Sequence, residues 1–118
     1  MMRRLTALLL IALVLVATAA QAAIALTSAS LTAQNTFSCT TTACPALQGN
    51  FNFSLSGTWV ATVHLQRSFD NGTTWLDVAS YTANIEDRGV EPEAGVRYRF
   101  GVKTGNYTSG TVVGRVSR

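Results

Sequence analysis

The feature that most constrains the fold of this chain is the segment Ser68-Phe69-Asp70-Asn71-Gly72-Thr73-Thr74-Trp75, which lies between two runs of strand character. Asn71-Gly72 predicts a tight turn, because Asn and Gly tolerate the positive φ that two-residue hairpin turns need. The carboxylate of Asp70 can accept hydrogen bonds from backbone N–H groups of the same loop. Trp75 begins the returning strand and can cover the turn with its ring. The segment therefore predicts a closed β-hairpin.

The same segment resembles the Asp box, a hairpin that is repeated in sialidases and related β-propellers. All five defining positions are present: Ser68, Asp70, Gly72, Thr74 and Trp75. In the Asp box these residues are structural and lie away from the catalytic centre. The resemblance covers eight residues and implies the hairpin rather than sialidase activity. A complete propeller is excluded by size, because it needs at least four blades of about 40–50 residues each.

Several other short segments have strand character. The apolar residues of segments 51–55, 59–68 and 96–103 recur at every second position, so each set shares one face of a predicted strand. Weaker strands are expected at 30–37, 75–81, 83–85 and 111–116, with a charged loop after 85 and turns at 104–106 and 109–110. Many short strands without helical periodicity predict an all-β fold, a single antiparallel two-sheet sandwich.

Residues 91–102 support this fold. They read Glu-Pro-Glu-Ala-Gly-Val-Arg-Tyr-Arg-Phe-Gly-Val and resemble the Pro-x-x-Gly-x-x-Tyr-x-Phe-x-Val passage of fibronectin type III and similar domains. In those domains a loop enters a late strand and a tyrosine corner ties that strand back. The resemblance implies that the sandwich is of the immunoglobulin or fibronectin III-like kind, and it assigns the role of this tyrosine to Tyr98.

The first 22 residues have the features of a secretory signal peptide. Arg3 and Arg4 precede an apolar stretch, and Ala20-Gln21-Ala22 is a cleavage signal, although an uncleaved anchor is the alternative. We expect an exported protein (periplasmic, secreted, or at a virion or cell surface) that meets the membrane only through this segment. Without those two arginines, the nine basic residues become seven against six acidic ones, so a nucleic-acid partner is not predicted. We expect residues 23–48 to form a lead-in and 49–118 the sandwich core.

The two cysteines, Cys39 and Cys44, predict a disulfide in an oxidising compartment, with two free thiols as the alternative. His64 is the single histidine, and no second cysteine pair exists. We therefore predict no metal site and no cofactor.

Some residues admit a chemical as well as a structural interpretation. His64 fits a surface position. Asp70 and Asp77 could form the carboxylate pair of a glycoside hydrolase, but the turn already explains Asp70. The acidic residues of 86–93 could bind calcium, yet they are more typical of a solvated loop.

A basic stripe and one tyrosine are the predicted ligand-binding candidates. Arg97, Arg99 and Lys103 alternate along one strand, where they could bind an anionic glycan or phosphate or form a solvated sheet face. Tyr107 lies beside turns and is the candidate for an exposed aromatic residue that stacks on a sugar.

Residues 49–118 also resemble the small terminal β-sandwich modules of tailed-phage virion proteins. The resemblance rests on Ser56-Gly57-Thr58-Trp59, on segment 63–75, and on strand 96–102 followed by Thr108-Ser109-Gly110-Thr111. Such modules are non-enzymatic, and they decorate capsids or tails or attach to host surfaces. The resemblance implies a non-catalytic virion or surface-adhesion protein of phage or prophage type, with a protein partner or a glycan.

The signal peptide departs from the phage pattern, because tailed-phage virion proteins assemble in the cytoplasm. A secreted carbohydrate-binding module is the alternative function. A hydrolase ranks last, because the sequence offers no nucleophile–base pair and no convincing acid–base pair.

Overall fold

The computed structural model of this protein describes residues 25–118, so the predicted signal peptide lies outside the described residues. The strands are β1 (Ala25–Leu31), β2 (Thr36–Phe37), β3 (Gly49–Ser56), β4 (Trp59–Ser68), β5 (Leu76–Tyr81), β6 (Ile85–Glu91), β7 (Arg97–Gly110) and β8 (Val112–Ser117). A short 3₁₀ turn spans Thr41–Ala43. Residues 25–118 contain no helix with the length and apolar character to span a bilayer.

The strands form two antiparallel four-stranded sheets that pack face to face, as the all-β prediction requires. The first sheet has the order β1-β8-β3-β6 and the second the order β2-β7-β4-β5. Aromatic rings join the sheets: Phe53 of β3 lies 5.5 Å from Phe100 and 5.3 Å from Tyr81, measured between ring centroids. Phe51 lies 4.9 Å from Tyr98. The core is therefore the layer between the sheets.

The alternating patterns of the sequence predict the inner faces correctly. Successive side chains of a strand point to opposite sides, so residues two apart enter the same layer. The buried residues that the patterns identified are Phe51, Phe53, Leu55, Val63, Leu65, Val96, Tyr98, Phe100 and Val102.

The predicted lead-in is built into the sandwich. β1 pairs with β8 along its length, and β2 pairs with β7. Leu31 and Leu47 are buried in the core. Within the described residues the sandwich therefore begins at Ala25 rather than at 49. Its first strand gives a weak signal, because it consists mainly of Ala, Ser and Thr.

Two predicted irregular segments are strands in the structure. The charged loop expected after residue 85 is β6, whose inner positions include Gly89, where the ring of Phe51 occupies the space of a Cβ. The turn expected at 104–106 is a bulge within β7: Ala61 of β4 pairs with Tyr107 and Val63 with Val102, so the residues between loop out. Alternation of hydropathy does not identify these strands, because β6 has polar residues on both faces and β7 contains Gly105.

Candidate functional site

The predicted hairpin joins β4 to β5, and the five Asp-box residues hold its turn together. The Ser68 hydroxyl donates to Asp70 Oδ1 over 2.8 Å and accepts the N–H of Gly72 over 2.9 Å. Asp70 Oδ1 also accepts the N–H of Thr74 over 2.7 Å. The Trp75 indole N–H donates to the Gly72 carbonyl over 3.1 Å. Hydrogen bonds from Thr74, and then from Ser68, lower the pKa of Asp70 to about 2.

The tip of this hairpin packs against the disulfide loop. Cys39 and Cys44 are bonded, as predicted, and the 3₁₀ turn lies between them. A Cβ on Gly72 would lie 2.6 Å from the carbonyl oxygen of Thr41 and 2.8 Å from its Cα. Glycine at this position therefore allows the two backbones to approach, and its φ of 89° also favours glycine.

Arg97 fastens the hairpin to the disulfide loop. Its Nε donates to Asn71 Oδ1 in the hairpin over 2.7 Å. Its Nη1 donates to the carbonyl oxygens of Thr42, over 3.0 Å, and Cys44. The first residue of the predicted basic stripe thus links two loops that are far apart in sequence.

Arg99, the second residue of the stripe, is stacked between two aromatic rings on the outer face of the second sheet. Its guanidinium carbon lies 3.8 Å from the centroid of Phe37 and 4.3 Å from that of Trp75. Its Nε donates to Gln66 Oε1 over 2.8 Å. Burial lowers the pKa of Arg99, while the stacked rings give the cation a favourable site.

Gln66 connects Arg99 to Asp77 and Lys103. Gln66 Nε2 donates to Asp77 Oδ1 over 2.8 Å, and Lys103 Nζ donates to Asp77 Oδ2. The bond from Lys103, followed by that from Gln66, lowers the pKa of Asp77. We name these side chains the outer-face network; its members are Phe37, Gln66, Trp75, Asp77, Arg99 and Lys103.

His64 lies next to this network, on the face that alternation predicts to be polar. Its Nδ1 is buried and has no hydrogen-bond partner among the described residues. Desolvation lowers the pKa of His64, and Asp77 opposes this effect. On the same face, Gln66 is 3 % exposed and Ser68 is 0 % exposed. Gln66 is bonded to Asp77 and Arg99, and Ser68 is bonded to Asp70 and Gly72, so both buried polar side chains have partners.

The acidic segment predicted to be a solvated loop instead supplies partners for tyrosines. Glu91 is buried, and its Oε2 accepts the Tyr98 hydroxyl over 2.8 Å and Arg67 Nη1 over 3.3 Å. Burial and then the Glu91 carboxylate raise the pKa of Tyr98 to about 12. A tyrosine corner ties its hydroxyl to backbone, whereas Tyr98 is tied to a side chain.

A groove of about 370 Å³ lies where β7 bulges away from β4. Its walls include the indole of Trp59, the apolar side chain of Val60 and several uncharged hydrogen-bonding side chains: Thr62, Thr82, Asn106 and Thr108. None of the residues that line it is charged, so the groove differs chemically from the outer-face network.

Tyr107, the predicted exposed aromatic residue, lies between two groove residues but is itself half-buried. Its ring packs against the core, and its hydroxyl donates to the Gly110 carbonyl over 2.8 Å. The groove cannot be predicted from the sequence, because it forms only where β7 bulges away from β4. The neighbouring Asn106 and Thr108 were the available signal.

These features describe a two-sheet β-sandwich whose ionisable side chains brace loops and sheets. Residues 25–118 hold no group of three or more His, Cys, Asp or Glu side chains arranged for a metal ion. In comparisons with protein-family models, curated proteins and solved structures, nothing matches the chain.

Proposed function

We propose that this chain is a non-catalytic, exported β-sandwich module that serves as a structural or adhesive component of a virion-type or surface assembly. One observation carries the proposal: the acidic groups that suggested catalysis or calcium binding are used as braces. Asp70 closes a turn, Asp77 joins three strands, and Glu91 links the sheets. A catalytic acid or base has to reach the proton that it transfers. Braced carboxylates instead favour a module that keeps its shape while it holds a partner.

The finer features of the proposal rest on the sequence resemblances. The passage 91–102, which leads into β7, supports the immunoglobulin or fibronectin III-like type by its sequence, although Tyr98 is tied to the Glu91 side chain rather than to backbone. The likeness of 49–118 to terminal phage modules supports a phage or prophage origin. The N-terminal 22 residues support export.

Fractionation of the producing cells tests this function. The chain is expressed from its full coding sequence with a C-terminal tag, and culture medium and cell envelopes are separated on density gradients. We expect the tagged chain to sediment with particles or with a surface assembly. Its mass should correspond to cleavage after Ala22 and to the loss of two hydrogens at Cys39 and Cys44. A chain recovered only as a free protein at the top of the gradient contradicts the proposal.

A secreted carbohydrate-binding module is the second candidate, and the groove beside the β7 bulge favours it. Sugars present hydroxyl groups and apolar C–H faces, which hydroxyl, amide and aromatic side chains can contact. The walls of the groove offer these groups without a charge. Neutral glycans are therefore the ligand class that this candidate predicts.

A glycan array distinguishes the two places where a sugar could bind. If the groove binds a neutral glycan, Asn106→Ala should weaken binding at least about tenfold, which corresponds to about 1.4 kcal/mol. Asn52→Ala, on the outer face of the first sheet, is the matched control and should bind normally. Loss of binding in Arg99→Ala but not Asn106→Ala would instead place an acidic glycan on the outer-face network. A wild-type chain that binds no glycan contradicts this second function.

A further inference from the structure

The basic residues of residues 25–118 divide into two groups. Every basic side chain of the second sheet donates a hydrogen bond to another segment of the chain: Arg67, Arg97, Arg99 and Lys103. The remaining basic residues belong to the first sheet, with Arg88 on β6, Arg115 on β8 and Arg118 directly after β8. All three are exposed, and none of their guanidinium groups has an ion-pair or hydrogen-bond partner among the described residues.

Two of these arginines border one depression on the outer face of the first sheet. It has a volume of about 460 Å³, and the exposed side chains that line it are Asn50, Asn52, Arg88, Val90 and Arg118. β3 lies between β8 and β6, and Asn52 of β3 pairs with Arg88 on one side and with Ser117 on the other. The backbones of β6 and β8 are therefore about 10 Å apart at this level. Two long side chains can thus reach one ligand from opposite sides.

The charge of this depression suits an anion. None of the residues that line it is acidic. The acidic residue nearest along the same face of β6 is Glu86, whose Oε2 accepts the Ser54 hydroxyl over 3.0 Å. A guanidinium group without an internal partner is able to bind a carboxylate or phosphate group through two parallel hydrogen bonds. The pair Arg88 and Arg118 therefore indicates a ligand that carries such a group.

The other side chains of the depression narrow the class of ligand. Asn50 and Asn52 each offer a carbonyl oxygen and an NH₂ group, which match the donors and acceptors of sugar hydroxyl groups. Val90 is 66 % exposed and offers an apolar surface to the C–H face of a sugar ring. The volume lies in the range of small-molecule sites, about 300–1,000 Å³. A membrane or a nucleic acid would instead use all three arginines of the face alike.

We propose that this depression binds an acidic sugar, with Arg88 and Arg118 holding its carboxylate or phosphate group and Asn50 and Asn52 contacting its hydroxyl groups. The inference rests on the proposed adhesive function and deepens it, because it names the chemistry of the surface to which the module attaches. The depression is separate from the uncharged groove beside Trp59, which lies on the second sheet.

A glycan array followed by titration calorimetry tests the site. The array carries uronic-acid, sialylated and phosphorylated oligosaccharides, each beside its neutral parent, so it separates carboxylate from phosphate as the bound group. The chain is expressed from its full coding sequence without a C-terminal tag, because Arg118 lines the depression. We expect acidic members to bind and their neutral parents to bind far more weakly. For the tightest-binding acidic member, Arg88→Gln and Arg118→Gln should each raise the dissociation constant at least about tenfold.

Arg115→Gln is the matched control. Arg115 is exposed on the same face and has no partner among the described residues, but it does not line the depression. Its substitution removes the same charge, so it should leave binding of the acidic member as in the wild type. Arg99→Ala, on the second sheet, should also bind normally. Circular dichroism melts of the variants show whether they remain folded.

Two results overturn the inference: a wild type that binds no acidic oligosaccharide, or binding that Arg115→Gln weakens as much as Arg88→Gln and Arg118→Gln do. The second result would mean a diffuse attraction between the whole face and an anionic polymer or membrane. A chain that sediments with particles but binds no acidic sugar contradicts the inference alone. A chain that binds an acidic sugar at this site but associates with no assembly contradicts the proposed function alone.

Discussion

Glu91 illustrates, at the scale of single residues, how this chain accommodates a buried charge. It is the charged side chain with the least solvent exposure in the described part of the chain, at 1 %. Tyr98 of β7 and Arg67 of β4 donate to the same carboxylate oxygen from neighbouring strands of the second sheet. A buried carboxylate is tolerated only when such donors replace the water that it loses.

We predict that Tyr98→Phe lowers the free energy of unfolding by about 1–3 kcal/mol, because it leaves the buried Glu91 with one donor fewer. Tyr107→Phe removes a hydroxyl whose bond to Gly110 is exposed, and should cost less than about 1 kcal/mol. Urea denaturation of the two variants measures both values. Equal losses would mean that the bond from Tyr98 to Glu91 contributes no more than the exposed one.

Asp70 gives the fold a specific dependence on acid. Its pKa is lowered to about 2 from 3.8. Stability from this group is therefore fully present above the unfolded value and is lost as the pH falls towards 2. We predict that Asp70→Asn is less stable than the wild type at pH 7, and that the difference shrinks between about pH 4 and 2. Denaturation at pH 7, 3.5 and 2 measures it.

Glu93→Gln, on the exposed loop before β7, is the control for Asp70→Asn. It should follow the wild type over the whole range. If the difference in unfolding free energy between Asp70→Asn and the wild type does not change with pH, the charge of Asp70 does not stabilise the turn.

At the scale of elements, the contact between the hairpin tip and the disulfide loop depends on Gly72. The two loops, each with its own internal hydrogen bonds, meet at Gly72 with their backbones in contact. The Arg97 side chain donates hydrogen bonds to both loops. Either loop alone is predictable from local sequence, since the turn residues and the cysteine spacing are short-range signals.

We predict that Gly72→Ala destabilises the protein more than Gly95→Ala does. Both glycines have positive φ, so each change carries the backbone cost of about 1–2 kcal/mol. An added Cβ at Gly95 meets nothing within 4 Å, whereas at Gly72 it meets the backbone of Thr41. That crowding should add about 1–3 kcal/mol. Thermal melts give the comparison, and similar losses would show that the two loops do not depend on close contact.

Elements with alternating apolar residues were predictable, and those defined by partners were not. The inner faces of β3 and β7 follow from apolar residues at every second position, a pattern that is visible within the sequence of a single strand. The burial of Gln66 depends on which residues of β5 and β7 lie beside it, and register between strands is not encoded locally. Alternation within β7 predicts that Arg99 lies on the outer face. Its position between Phe37 and Trp75 depends on residues from elsewhere in the chain and is not predictable from the local sequence.

At the scale of the whole molecule, the sandwich uses the described chain from its first strand to its last. β1 covers one side of β8, and β2 lies beside β7. The segment before β3 also supplies Leu31 and Leu47 to the core. The two sheets therefore depend on residues that the composition of the sequence suggested were peripheral.

We predict that residues 49–118, expressed without the preceding strands, show no cooperative unfolding transition, whereas residues 25–118 do. Loss of a buried leucine side chain typically costs about 2–5 kcal/mol, and two are removed together with two strands. The two leucines alone account for about 4–10 kcal/mol, which is comparable with the whole stability of about 5–15 kcal/mol of a typical domain. Far-UV circular dichroism during heating compares the two. A sharp transition at the same temperature in both would restore 49–118 as the folding unit.

The pairing of β1 with β8 also determines how the module would be mounted on something larger. Ala25 lies opposite Ser117, so the polypeptide enters and leaves the sandwich at neighbouring points. The groove beside Trp59 lies near the other end of β8, because Thr111 bonds to Thr58 there. Six strand residues separate the two ends, which is about 20 Å. A tether at either terminus would thus hold the module by one end and point the groove away from the anchoring surface.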